Sequence, residues 1–206
     1  MKKKYVKAVN LAAKYEIKEL SNYLLYNFVD KPVDLYERLQ INVGLSENLG
    51  IHIYSFPMKY IPLYNEEATN RSFIGKNWNK KFIRAIQSIL NVTKGIVAPG
   101  RSFFEKAFGR NKQDYFEILY MPETYIIYRK VFEVELGYTK IWKELFYSLT
   151  PEEFEEVKPI IETNDFKNYE TKTTMQHRNS AMDHTHCWWL CGLLLTSFVA
   201  CIPVTR

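Results

Sequence analysis

Two polar clusters near the front of this chain each follow an apolar run, and chemistry would be placed there. Asn27 and Asp30 follow Tyr23-Leu24-Leu25-Tyr26, while Ser55, Met58 and Lys59 follow Ile51-His52-Ile53-Tyr54. The Asn27 carboxamide can hydrogen-bond a carboxylate, an amine or a ribose. The Arg38 guanidinium can hold a carboxylate through two parallel bonds. A plainer reading stands beside each: Asp30 caps a helix, and Arg38 pairs with Asp34 one turn back.

A second pattern is basic. Between Arg71 and Lys112 ten cations meet one acid, Glu105. Lys76, Lys80 and Arg84 recur every four residues and would form one helical stripe. Trp78, Phe82, Phe103, Phe104 and Phe108 are interleaved with the cations. Cations for phosphates and aromatics for bases suit a nucleic acid or another polyanion. The alternatives are a solvated helix face over core aromatics, or a stripe that meets the acids Glu144, Glu152, Glu153, Glu155 and Glu156.

The third pattern is the tail. His177, His184, His186, Cys187 and Cys191 are potential zinc ligands, but their spacing fits no standard finger. Trp188 to Val204 is uncharged and near the lower length limit for a membrane span of ~17–25 residues. Gly192, Thr196, Ser197 and Pro203 weaken such a span. The break in composition near residue 170 favours a tail foreign to the rest of the chain, and 169–206 is expected to be poorly ordered.

The strand-end groups need a βαβ unit to position them. The run 23–28 does not alternate, which predicts a strand covered on both faces, as in a parallel sheet. Asp30 as cap, Pro32 in the first turn, and Asp34 and Glu37 at the positive end of the dipole open a helix. Leu35, Leu39 and Val43 mark its buried face, and Gly50 stops it. A second strand, 51–56, ends where Pro57 and Pro62 bar a central strand. A helical crossover between them makes the strands parallel.

The remaining elements read as helices. One covers 4–17, with Val6, Val9, Ala13 and Ile17 on one side. Lys2, Lys3 and Lys4 crowd its start against the helix dipole. That fits either a helix that begins further upstream or a frayed surface helix. Others are predicted at 76–94, at 103–109 behind a Ser102–Glu105 capping box, at 115–120, 125–135 and 139–148, and behind a Thr150–Glu153 box, ending at Pro159.

Composition sets the bounds. The hydrophobic share of 47%, the charged share of 25%, and 15 Tyr with 13 Phe describe a folded core and argue against disorder. The three cysteines, 187, 191 and 201, leave the body without a disulfide scaffold, which fits a reducing cytoplasm. The first twenty residues lack the uninterrupted apolar stretch of a signal peptide. The expected location is cytoplasmic, with a membrane tether through 187–205 as the alternative.

The wording of residues 21–62 resembles a group of radical SAM proteins. The resemblance is carried by Ser21-Asn22-Tyr23-Leu24-Leu25-Tyr26-Asn27-Phe28, by Asp30, Pro32, Asp34, Leu35, Tyr36 and Arg38, and by Ile53 to Leu63. Trp78 to Gly100 looks like the helical extension that follows the barrel in those proteins. The resemblance implies a partial (β/α) barrel and an enzyme. It also implies a 4Fe-4S cluster held by a CxxxCxxC loop, and S-adenosylmethionine cleaved to a radical. No CxxxCxxC occurs here.

The chain is therefore expected to be α/β: a partial (β/α) barrel fragment with parallel strands, followed by a mostly α-helical C-terminal region. The expected division is a barrel part over 1–65, a helical extension over 66–168 and the tail. Asn27, Asp30 and Ser55 would supply a rim for S-adenosylmethionine or substrate. The chain alone would bind no cluster and no cofactor, and the N-terminal half of the barrel would be its missing partner. Two other functions are open: a basic binding module through Lys76, Lys80 and Arg84, or a tail-anchored membrane protein.

Overall fold

The computed structural model describes residues 2–164, and of 130–136 the backbone alone. Among the described residues the fold is mixed α/β, mostly helical, with one two-stranded parallel sheet. Two compact units divide the chain, Met1–Tyr120 and Met121–Arg206. The expected boundary at 65/66 falls inside the first, because helices after residue 66 pack on the βαβ unit.

Helix α1 (Lys2–Lys14) lays Tyr5, Val9 and Ala13 against Ile51 and Ile53. It ends earlier than predicted: Glu16 turns left-handed (φ 61°), which leaves Ile17 exposed rather than on the apolar stripe. Strand β1 (Glu19–Tyr26), helix α2 (Pro32–Leu49) and strand β2 (His52–Lys59) follow. Helix α2 is where local signals place it. Pro32 opens it, Gly50 closes it in the left-handed conformation (φ 63°), and Leu35, Leu39 and Val43 are buried. The cap position is Lys31 and not Asp30; the Asp34 carboxylate reaches back to the Lys31 N–H at 2.7 Å.

The strands pair from Glu19↔His52 to Tyr26↔Lys59. Both differ from the predicted spans, 23–28 and 51–56. Asn27 takes a left-handed turn (φ 68°) and ends β1. Pro57 does not end β2, and hydrogen-bond parity explains why. The His52 N–H donates to the Lys18 carbonyl and the Tyr60 N–H to that of Tyr26, so even-numbered residues of β2 face β1. Odd-numbered ones face away, and Pro57 has no N–H to lose on that side.

Alternation also sets the two faces. Leu24, Tyr26, Ile53, Ser55 and Pro57 are buried. Tyr23 (74% exposed), Leu25 (45%) and Met58 (50%) lie on the other face, where the Tyr23 and Phe56 rings meet at 5.6 Å. The predicted cover on both faces is absent among the described residues: only one face of the sheet is packed.

Helices α3 (Glu66–Thr69), α4 (Lys80–Val92), α5 (Arg101–Phe108) and α6 (Lys112–Tyr120) complete the first unit. The Tyr36 ring sits 5.2 Å from that of Phe104 and 5.0 Å from that of Tyr115. The Tyr36 hydroxyl donates to the Gly109 carbonyl and the Tyr115 hydroxyl to that of Pro32, tying α2 to the α5–α6 turn. The expected Ser102–Glu105 box does not form, since α5 starts at Arg101 behind Gly100.

The second unit holds α7 (Glu123–Leu136), α8 (Tyr138–Phe146) and α9 (Pro151–Thr163). Its buried side chains include Ile126, Trp142, Val157 and Ile161. The Thr150–Glu153 box forms in both directions. Pro159 does not stop α9, which runs on to Thr163; the ring only removes the amide that would bond Glu155. The tail residues proposed as zinc ligands, and the stretch 187–205, lie outside the described residues. No described helix is long and apolar enough to cross a membrane.

Candidate functional site

In a parallel α/β unit ligands sit beyond the C-terminal ends of the strands. Asn27 and Asp30 stand there, directly after β1. Ser55 does not. It lies in the middle of β2, 1% exposed, because that strand runs on to Lys59. Its hydroxyl accepts from the Asn42 carboxamide at 2.7 Å. Asn42 also donates to the Asn22 side-chain oxygen (3.2 Å) and accepts from the Tyr5 hydroxyl (2.8 Å), which in turn accepts from Asn22 (2.7 Å). This network joins α1, β1, α2 and β2 under the sheet. Ser55 is part of the fold and not of a rim.

Asn27 is fully buried. Its amide nitrogen donates to the carbonyls of Phe73 (3.0 Å) and Tyr60 (3.3 Å), and its oxygen accepts the Gly75 N–H at 2.8 Å. All three partners are backbone groups of this chain. The positive φ suits asparagine, whose short polar side chain tolerates that region. A ligand would have to displace one of these bonds to reach the carboxamide.

Asp30 and Arg38 do meet, at 2.9 Å between Oδ2 and Nη2. The other Asp30 oxygen accepts the Phe28 N–H at 2.9 Å. Arg38 further donates to the carbonyls of Leu25 (2.7 Å) and Asp34 (3.0 Å). Arg38 therefore binds the Asp34 backbone, and its ion pair is with Asp30. This cluster buttresses the β1–α2 turn.

The segment 71–78 fills the space beyond the strand ends. The Asn77 side chain donates to the Val29 carbonyl (2.9 Å) and the Trp78 indole to that of Asp30 (3.0 Å). Gly75 passes so close that a Cβ there would stand 2.4 Å from the Phe28 oxygen. At the end of β2, the Lys59 ammonium donates to the Arg71 carbonyl at 3.0 Å. Burial, and then the Arg71 charge, hold the Lys59 pKa below its ordinary value. The sequence pattern leaves 71–75 unassigned and puts 76–78 in the first turn of a helix that starts only at Lys80. Gly75, a lone glycine ahead of an asparagine-capped helix, was the available signal.

The basic stripe is shorter than its spacing implied. The Asn79 side chain accepts the Phe82 N–H at 2.7 Å and starts α4 at Lys80. Lys76 lies before that helix, in the segment pinned under β1, so only Lys80 and Arg84 share a helical face. Lys81 is buried. Arg101 pairs with Glu47 and Lys112 with Glu37, both on α2. Part of the basic excess thus closes the fold.

The described residues supply no ligand set for the cluster that the resemblance implies. A 4Fe-4S cluster takes three cysteine thiolates. The cysteines here are 187, 191 and 201, and no three His, Cys, Asp or Glu among the described residues are placed to hold a metal ion. Of the rim residues proposed for S-adenosylmethionine, Asn27 is engaged by backbone groups and Ser55 is buried within β2. No protein-family model, characterised protein or solved structure matches the chain in comparison.

Proposed function

We propose that this chain is the later part of a radical-SAM-like (β/α) barrel with its helical extension, and that alone it performs no radical chemistry. The observation that carries the reading is the outer face of β1 and β2, which no described element covers. Parallel strands occur almost only where both faces are covered, and two strands do not make a self-sufficient sheet. Here the uncovered face presents Tyr23, Leu25 and Met58. A sheet built into a larger α/β body would bury them. The wording of residues 21–62 resembles that family, and with no CxxxCxxC in this chain, cluster binding would fall to a segment outside it.

Upstream coding DNA, read in all frames, tests the proposal. A CxxxCxxC within roughly one half-barrel, ~100–200 residues, is the expected result. The joined chain, given iron and sulfide, should then bind a cluster and cleave S-adenosylmethionine to 5′-deoxyadenosine, while the 206-residue chain does neither. If no such motif precedes it, the reading falls.

A further inference from the structure

The two edges of the sheet are treated differently. The outer edge of β2 is closed at successive positions. The Ile53 N–H donates to the Ser46 hydroxyl, Ser55 exchanges both backbone bonds with Val97, and Pro57 offers no donor. Among the described residues, the edge of β1 has one closure. Parity turns Glu19, Ser21, Tyr23 and Leu25 outward, and Arg38 takes the Leu25 carbonyl at 2.7 Å. From Glu19 to Tyr23 the outward N–H and C=O groups meet no hydrogen-bond partner among the described residues. That stretch also lacks the lysine, proline or bulge by which edge strands are normally blunted.

Such an edge selects its partner by backbone chemistry. A row of donors and acceptors at strand spacing is matched only by another extended strand. We propose that the partner is β1 of a second copy, running antiparallel about a two-fold axis through Ser21. The open stretch, 19–23, is centred on Ser21, so this register uses all of it and stops where Arg38 begins on each copy. Outward residues then face outward residues: Ser21 opposes Ser21, and Glu19 opposes Tyr23. In such hydrogen-bonded pairs the two residues exchange both N–H···O bonds.

The side chains agree with that register. The smallest one lies on the axis. Glu19 faces a tyrosine, Leu20 faces Asn22 and Lys18 faces Leu24, so no like charges are opposed. The product is a continuous sheet of order β2-β1-β1-β2, past the size at which an isolated parallel pair is unstable. The interface is isologous, the commonest form of homodimer contact. A two-fold axis perpendicular to the sheet puts the bare faces of both copies on one side.

Sedimentation equilibrium of the whole chain over a wide concentration range tests this, with Ser21→Pro and Tyr23→Lys beside it. The Ser21 N–H points away from β2, so the proline should leave the fold intact, which far-UV circular dichroism would check. The wild-type chain should be a dimer, and each variant should raise its dissociation constant tenfold or more. As a second readout, Ser21→Cys in a chain with Cys187, Cys191 and Cys201 changed to serine should oxidise to a disulfide-linked dimer. Cα atoms of such a pair lie about 5.5 Å apart, within disulfide reach. A Tyr64→Cys control, exposed but far from the axis, should not. A chain that stays monomeric, or association that both variants leave unchanged, overturns the proposal. The barrel reading fails separately, on the upstream motif: a dimer without that motif removes the barrel and keeps the interface.

Discussion

The Asn27 carboxamide accepts the Gly75 N–H at 2.8 Å, and Gly75 itself lies where a Cβ would stand 2.4 Å from the Phe28 oxygen. The two residues lock the 71–78 segment onto the end of β1, Asn27 by its side chain and Gly75 by having none. Glycine is needed for close approach, not for a special backbone angle. Gly75→Ala should therefore cost about 1–3 kcal/mol by forcing backbone apart. Gly44 is the contrast. It sits inside α2, where an added Cβ would meet nothing within 4 Å. Gly44→Ala should gain about 0.5–1 kcal/mol by lowering the entropy of the unfolded chain. Urea unfolding of both variants checks the pair, and a loss at both positions would contradict the contact geometry.

Asn27 acts as a brace, and stability measurements separate that role from a ligand contact. Asn27→Ala removes three hydrogen bonds at a fully buried site and leaves backbone groups of Tyr60, Phe73 and Gly75 without a partner. An unsatisfied buried group costs about 1–3 kcal/mol, so the total should be about 3 kcal/mol or more. Asn27→Gly loses the same bonds but tolerates the positive φ, and should cost less than the alanine. Unchanged stability in Asn27→Ala would remove the brace and return the residue to ligand binding. The effects of Asn27→Ala and Gly75→Ala should not add, since both loosen one contact.

At the turn between β1 and α2 the arginine should matter more than its carboxylate. Arg38 serves three acceptors: Asp30 Oδ2 and the carbonyls of Leu25 and Asp34. Asp30→Asn keeps an acceptor for the Phe28 N–H and weakens only the ion pair, whose members are part-exposed (34% and 15%). Pairs of that kind contribute about 0–1 kcal/mol. Arg38→Ala should cost about 1–2 kcal/mol, and Arg38→Lys nearly as much, because an ammonium cannot reproduce the fork. Thermal melts at low and high salt would check this. Only the Asp30 variant should converge with wild type as salt rises.

What the sequence disclosed follows from how local each cause is. Helix α2 was legible because Pro32, Gly50 and the Leu35-Leu39-Val43 spacing all act within one element. The parallel pairing followed from the helical crossover. The site was not legible in this way. Asn27 is met by Phe73 and Gly75, Ser55 by Asn42 and Val97, and Lys59 by Arg71, and no periodicity links those positions. The Lys76-Lys80-Arg84 spacing was real but belonged to two different segments, because Asn79 caps a helix between its members. Pro57 misled for a related reason. Its effect on a strand depends on which neighbour its missing N–H would face, and only the sheet register decides that.

Alkaline titration tests the packing of α2 against its surroundings. Burial raises the Tyr26 and Tyr115 phenols well above their ordinary range, and for Tyr115 the nearby Tyr26 and Asp30 add to it. In the unfolded chain both should ionise near pH 10. Above that pH the unfolded state releases protons that the folded state keeps, so stability must fall as pH rises from about 10. Below pH 10 both states hold these protons, and the two tyrosines should add no pH dependence. By ultraviolet absorbance, the ionisation of Tyr26 and Tyr115 should therefore appear only together with loss of the helical circular dichroism signal. Tyr26→Phe should move that unfolding to higher pH. Tyr115→Phe should do the same while costing about 1 kcal/mol at neutral pH, through the lost bond to the Pro32 carbonyl. If every tyrosine ionised near pH 10 with the circular dichroism unchanged, the buried contacts of Tyr26 and Tyr115 would be wrong.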